Sequence, residues 1–134
     1  HVIIRPHPWR RLKTKGSERT LPLVGASLWA AERAVEASQH SPYLFPRYCS
    51  DKGCKANSAS AALNKWLKLT ISNDYVMHSF RHSMRDRLRA VQCRSGMIGH
   101  VGGWSKRSVG EGYGVGWELE LILGALNQAT IRSI

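Results

Sequence analysis

Acidic residues are scarce in this 134-residue chain. Nine Asp and Glu stand against twenty Lys and Arg, for a formal charge of +11 and a pI near 10.2. So few carboxylates leave most of the positive charge uncompensated, and that excess implies a polyanionic partner. A membrane surface is disfavoured in that role, because no polybasic run adjoins an amphipathic or apolar anchor. The sequence has no apolar run of eighteen residues, which argues against a spanning helix, and its start, HVIIRPHPW, is too short and too broken by proline for a signal peptide. A soluble, cytoplasmic protein is expected. Cysteine is sparse as well: Cys49, Cys54 and Cys93 are an odd set in a chain large enough to fold without staples, so reduced thiols are expected. The segment CSDKGC has the wrong spacing for a short zinc turn and no second ligand pair follows it, which argues against a metal site. No aromatic pair occupies alternating strand positions, as a base-stacking RNA-binding sheet requires.

What is present suits one domain with one core, at 43% hydrophobic content. Val2, Ile3 and Ile4 begin a strand that Pro6 and Pro8 confine to an edge. A turn centred on Lys15, Gly16 and Ser17 leads to a second strand over residues 18–24, making a hairpin with a lysine-rich tip. Residues 26–38 predict an amphipathic helix with Leu28, Trp29, Ala31, Ala34 and Val35 on its core face. Residues 41–57 form a basic, proline-punctuated connection, within which residues 43–45 suit a short third strand. A helix over 58–69, capped by Ser58 or Ser60, buries Ala62, Leu63, Trp66 and Leu67. A third helix over 79–92, with Ser79 at its cap, turns Phe80, Met84, Leu88 and Val91 inward and Arg85, Asp86, Arg87 and Arg89 outward. Glycines limit residues 97–101 to a short helix, a further short helix is expected over 105–109, and four glycines surround Tyr113. The apolar segment 117–129, with Leu119, Ile122, Leu123 and Leu126 on one side, either folds onto its own core or docks on a neighbouring copy. The fold class is therefore mostly helical α+β, a small antiparallel sheet packed beside a helical bundle.

The chemistry-bearing stretch is residues 77–113, MHSFRHSMRDRLRAVQCRSGMIGHVGGWSKRSVGEGY. His78 and Arg81 lie one helical turn apart, on one face. Arg81 can grip two non-bridging phosphate oxygens, and His78 can hydrogen-bond the phosphate or take a proton. Trp104, twenty-three residues after Arg81, adds an indole donor. Tyr113 follows after nine more, and a tyrosine attacks a phosphodiester only where cations and a proton acceptor activate its hydroxyl. A lysine at the hairpin tip is placed to protonate a leaving oxygen.

His78 to Arg81, the GGW at 102–104 and Tyr113 resemble the second half of the catalytic domain of tyrosine recombinases, the phage integrase family. There the pattern is His-x-x-Arg, a His or Trp about two dozen residues on, and the nucleophilic Tyr after nine more. The hairpin KTKGSERTLPL resembles the strands that present the family's catalytic lysine. The resemblance spans nearly the whole chain. It implies site-specific DNA integration or recombination through a 3′-phosphotyrosyl intermediate, with neither metal nor nucleotide cofactor. Tyr113 is then the nucleophile, Arg81 the phosphate clamp, His78 its helper and Trp104 the stand-in for histidine. Lys13 or Lys15 is the catalytic lysine, with Lys13 preferred. Arg19, Arg47, Lys52, Lys106 and Arg107 are expected along the DNA backbone. Implied partners are double-stranded DNA and further protomers, four in a synapse, in a bacterial or phage-encoded system.

Two histidines are set aside: His100 stands thirteen residues from Tyr113 and breaks the spacing that Trp104 keeps, and His82 is expected to be structural. The chain is expected to open at or inside the family's second strand, so no Arg here takes the place of the family's first catalytic arginine. The N-terminal DNA-clamping domain is expected to be missing as well. An arginine on an upstream helix would complete the site, and its absence would favour a remnant. On that expectation these 134 residues are a partial catalytic domain, inactive in isolation. A type IB topoisomerase shares the chemistry, and a non-catalytic, basic DNA-binding remnant shares the charge.

Overall fold

The computed structural model describes residues 1–14, 17–104 and 116–131. Among these lie five helices and two small antiparallel strand pairs, so the chain is mostly helical with a minor β component. The order is β1 (Val2–Ile4), β2 (Arg19–Leu21), α1 (Gly25–Ala37), β3 (Cys49–Ser50), β4 (Gly53–Cys54), α2 (Ala56–Thr70), α3 (Met77–Ala90), α4 (Ser95–Gly102) and α5 (Leu119–Ile131). Two compact units divide the chain: His1–Leu28 with Met84–Ile134, and Trp29–Ser83.

The first unit holds nearly all of the described core. β1 and β2 pair antiparallel with Ile3 opposite Thr20, as the hairpin pattern predicts, but the first strand stops at Ile4. His7 and Arg10 then exchange backbone hydrogen bonds of 2.9 and 3.0 Å around Pro8, a tight turn that ends the strand. At the hairpin tip the Ser17 N–H donates to the Thr14 carbonyl at 3.1 Å. α5 lies against β2. Val24, Leu88, Met97, Ile98, Val101, Ile122, Leu126 and Ala129 form one buried cluster, with Leu88 and Ile122 at 0% exposure. Burying each such side chain stabilises the fold by about 1.5–3 kcal/mol. The last helix thus packs one side onto the core of its own chain. Ile122 and Leu126 face inward as expected, whereas Leu119 and Leu123 are exposed and Ala129 takes the remaining buried place.

In the second unit, Leu67 of α2 is the only buried hydrophobic among the described residues. The predicted core face of α1 is not buried: no residue of α1 is, and Trp29 is 64% exposed. Trp66 and Phe80, also expected inside, are 55% and 57% exposed. Helical spacing puts these residues on a shared side, but it does not supply a surface to cover them, and on α2 Asn64 and Leu67 are among the less exposed residues.

The connection between α1 and α2 corrects two further expectations. Residues 43–45 are not a strand; the short pairing is instead Cys49 with Cys54 and Ser50 with Gly53, around a two-residue tip. Cys49 and Cys54 are joined by a disulfide, where reduced thiols were expected, and Cys93 is the free cysteine. Directly opposed residues in so tight a hairpin bring the two thiols within bonding reach. α2 also starts before its expected caps, at Ala56, so that Ser58 and Ser60 lie inside it. α3 likewise begins at Met77 and ends at Ala90, two residues early at each end. Its exit runs through Gln92, whose φ of 55° is unfavourable for a residue with a side chain, while the Cys93 N–H donates to the Leu88 carbonyl at 3.0 Å.

Candidate functional site

In the second unit, the start of α3 fixes His78 and Arg81. The Ser79 Oγ accepts the Val76 N–H at 3.2 Å, so Ser79 does serve the cap, from inside the first turn rather than before it. The Asn64 Oδ1, reaching from α2, accepts the Met77 N–H at 2.7 Å. Two of the amides that a helix start leaves unmet are thereby satisfied. His78 is exposed and Arg81 half-buried, one turn apart as the sequence predicts. His82, one turn beyond His78, holds its ring edge-on to that of His78, with centres 5.0 Å apart.

The same unit carries the basic loop. The Arg47 guanidinium carbon lies 5.7 Å from the centre of the Tyr48 ring, an aromatic contact that leaves its donors available. Lys52 sits at the tip between β3 and β4, its N–H 3.4 Å from the Ser50 Oγ, with its side chain exposed. Behind this tip the Tyr43 hydroxyl donates to the Asp51 Oδ1 at 2.6 Å. That hydrogen bond, with lost hydration and the carboxylate's charge, holds the Tyr43 phenol above its ordinary pKa. Asp51 also offsets part of the local positive charge.

The first unit holds Trp104, and the glycines before it explain its placement. α4 ends at Gly102, and Gly103 follows in the left-handed conformation, φ 63°, donating its N–H to the carbonyls of Gly99 and His100. The Trp104 N–H then donates to the Gly99 carbonyl at 2.9 Å, so the chain doubles back over the helix end. A Cβ on Gly102 would overlap the indole ring. Gly-Gly-Trp is therefore one device: a left-handed cap that lays a large ring against its own helix. Trp104 is half-buried and packs on the core cluster. His100, set aside on spacing, lies in the last turn of α4.

Two arginines border this corner. Arg85 of α3 places its guanidinium carbon 5.4 Å from the centre of the Trp104 ring. Sequence patterning assigned Arg85 only to an exposed face, and no spacing signal linked it to Trp104. Arg19, assigned above to the DNA backbone, is half-buried, and its Nη1 donates to the Ser17 carbonyl at 2.7 Å. A Cβ on Gly103 would come within 2.5 Å of that Nη1, so the guanidinium lies over the end of α4, where the helix dipole favours a cation. Lys13 is exposed in a bend before the hairpin tip.

Four expected site residues, Lys15, Lys106, Arg107 and Tyr113, lie outside the described residues, as does the expected helix over 105–109. The first unit brings Arg19, Arg85 and Trp104 around the end of α4, and the second brings His78 and Arg81 onto the start of α3. No family model, curated protein or solved structure matches the chain. No described helix is long and apolar enough to cross a membrane.

Proposed function

We propose that this chain is the catalytic portion of a tyrosine recombinase, which cuts and rejoins DNA through a covalent phosphotyrosine. The observation that carries the proposal is His78 and Arg81 on one face at the start of α3, followed at fixed intervals by Trp104 and Tyr113. The Tyr113 hydroxyl attacks the scissile phosphorus, forming a 3′-phosphotyrosyl bond as the bond to the 5′ oxygen breaks. Lys13 or Lys15 gives that oxygen its proton. Arg81 grips the non-bridging oxygens as their charge grows, His78 assists by hydrogen bond or proton transfer, and Trp104 has the role of an indole donor. Religation by an incoming 5′ hydroxyl reverses these steps and conserves the bond energy. Duplex DNA and further protomers in a synapse are the partners, and the α+β architecture is read as the later part of the recombinase catalytic fold.

In the natural polypeptide containing this chain, Arg81→Ala separates catalysis from binding. Cleavage should fall by about a hundredfold or more, the scale on which losing one transition-state donor acts, while DNA affinity falls far less. Equal losses in both would make Arg81 a simple DNA contact. The second reading, a non-catalytic DNA-binding remnant, draws on the charge of +11. It predicts binding that falls steeply with salt, a slope reduced by about 0.9 for each phosphate contact removed at Arg47 or Lys52, and no covalent product.

A further inference from the structure

We infer that His78 and His82 form a two-ligand site for a first-row divalent cation of the zinc class. The two stand four residues apart on α3, the spacing that stacks side chains on one side of a helix, and both are exposed. Their ring centres are 5.0 Å apart, with planes inclined by 73°. A zinc–nitrogen distance of about 2.0–2.1 Å and a near-tetrahedral angle set two imidazoles that share one ion about 5 Å apart, centre to centre. The rings therefore already stand at chelating distance, and closing on an ion requires rotation about side-chain bonds rather than movement of the helix. Imidazole nitrogen suits zinc, nickel and copper far better than calcium or magnesium, which fixes the class of ion.

Among the described residues no group of three or more His, Cys, Asp or Glu comes together. The described residues therefore supply two ligands, and water completes the coordination. Such a site is open, unlike the four-ligand sites that hold structural zinc. Arg81, within the same turn of helix, opposes a cation and lowers the affinity. Bridging one turn also ties the start of α3 together, so metal should stabilise the helix that presents His78. The inference needs neither Tyr113 nor a phosphate, but it shares His78 with the DNA chemistry proposed above, so a bound ion would compete with the role of His78 at the phosphate.

The test is a zinc chloride titration of the full chain in a non-coordinating buffer, followed by calorimetry and by the imidazole nitrogen resonances. One equivalent should bind, shifting the signals of both His78 and His82, and His78→Ala or His82→Ala should each weaken binding at least tenfold. His7→Ala and His40→Ala should leave it unchanged, and circular dichroism should show all four variants folded. Zinc binding that survives either α3 substitution, or shifts confined to other histidines, overturns the inference. So does the absence of binding, which would make the ring geometry an edge-to-face contact only.

Discussion

The Arg85 guanidinium lies over the indole of Trp104, 5.4 Å from the ring centre, and so joins the later part of α3 to the residue that ends the Gly-Gly-Trp corner. Removing either partner should cost packing as well as the contact itself. A double-mutant cycle with Arg85→Ala and Trp104→Leu isolates the shared part. A coupling of about 0.5–1 kcal/mol is expected, the scale of a cation–aromatic contact near the surface. Additive losses would show that the two groups do not interact in solution.

The same corner makes Gly102 intolerant of even one carbon. Because a Cβ there would overlap the indole, Gly102→Ala should destabilise the protein by about 1–3 kcal/mol through overpacking. Adding Trp104→Ala makes room for the methyl, so the double variant should lose markedly less than the sum of the two single losses. Urea unfolding of the four proteins measures this, and strict additivity would mean that the ring does not lie against Gly102.

The cysteines differ in a way that alkylation should expose. Without reductant one thiol per chain, Cys93, should react; after reduction, three should. Burial holds the Cys93 pKa above the ordinary thiol range, so its alkylation should need more alkaline solution than a free thiol requires. The stability linkage has a definite sign. A group with a raised folded-state pKa keeps its proton longer in the folded protein, so its contribution is whole below the unfolded value and is lost as pH rises through the folded one. Stability should therefore decline above the ordinary thiol range, and Cys93→Ala should flatten that decline.

Much of the fold was legible in the sequence, because most helices announce themselves by period. The helices over α1, α2, α3 and α5 follow the spacing of their apolar residues, and the hairpin follows from β-branched residues, prolines and a Lys-Gly turn. Burial was less legible. Trp29, Trp66 and Phe80 carry the period of a core face yet lie exposed, since periodicity says which residues share a side and not whether anything packs there. The disulfide was missed because counting cysteines ignores register, and only the opposed pairing of β3 and β4 puts Cys49 against Cys54. At the candidate site, the pairing of His78 and Arg81 on one helical face was legible from their spacing alone. The packing of Trp104 against Gly102 was not, since glycines in sequence announce a break in a helix without saying what the freed space will hold. Arg85 over Trp104 joins residues nineteen positions apart, and no local pattern encodes such a contact.

Covalent trapping on DNA decides whether Tyr113 is a nucleophile. The natural polypeptide containing this chain would be incubated with a nicked duplex that loses its 5′-hydroxyl fragment on cleavage, so that religation cannot occur. A denaturant-resistant protein–DNA adduct is expected at the 3′ end, mapped by proteolysis to the peptide bearing Tyr113, and absent in Tyr113→Phe while that variant still binds DNA. An adduct that persists in Tyr113→Phe, or DNA bound by the unmodified protein without any adduct, would contradict the proposal.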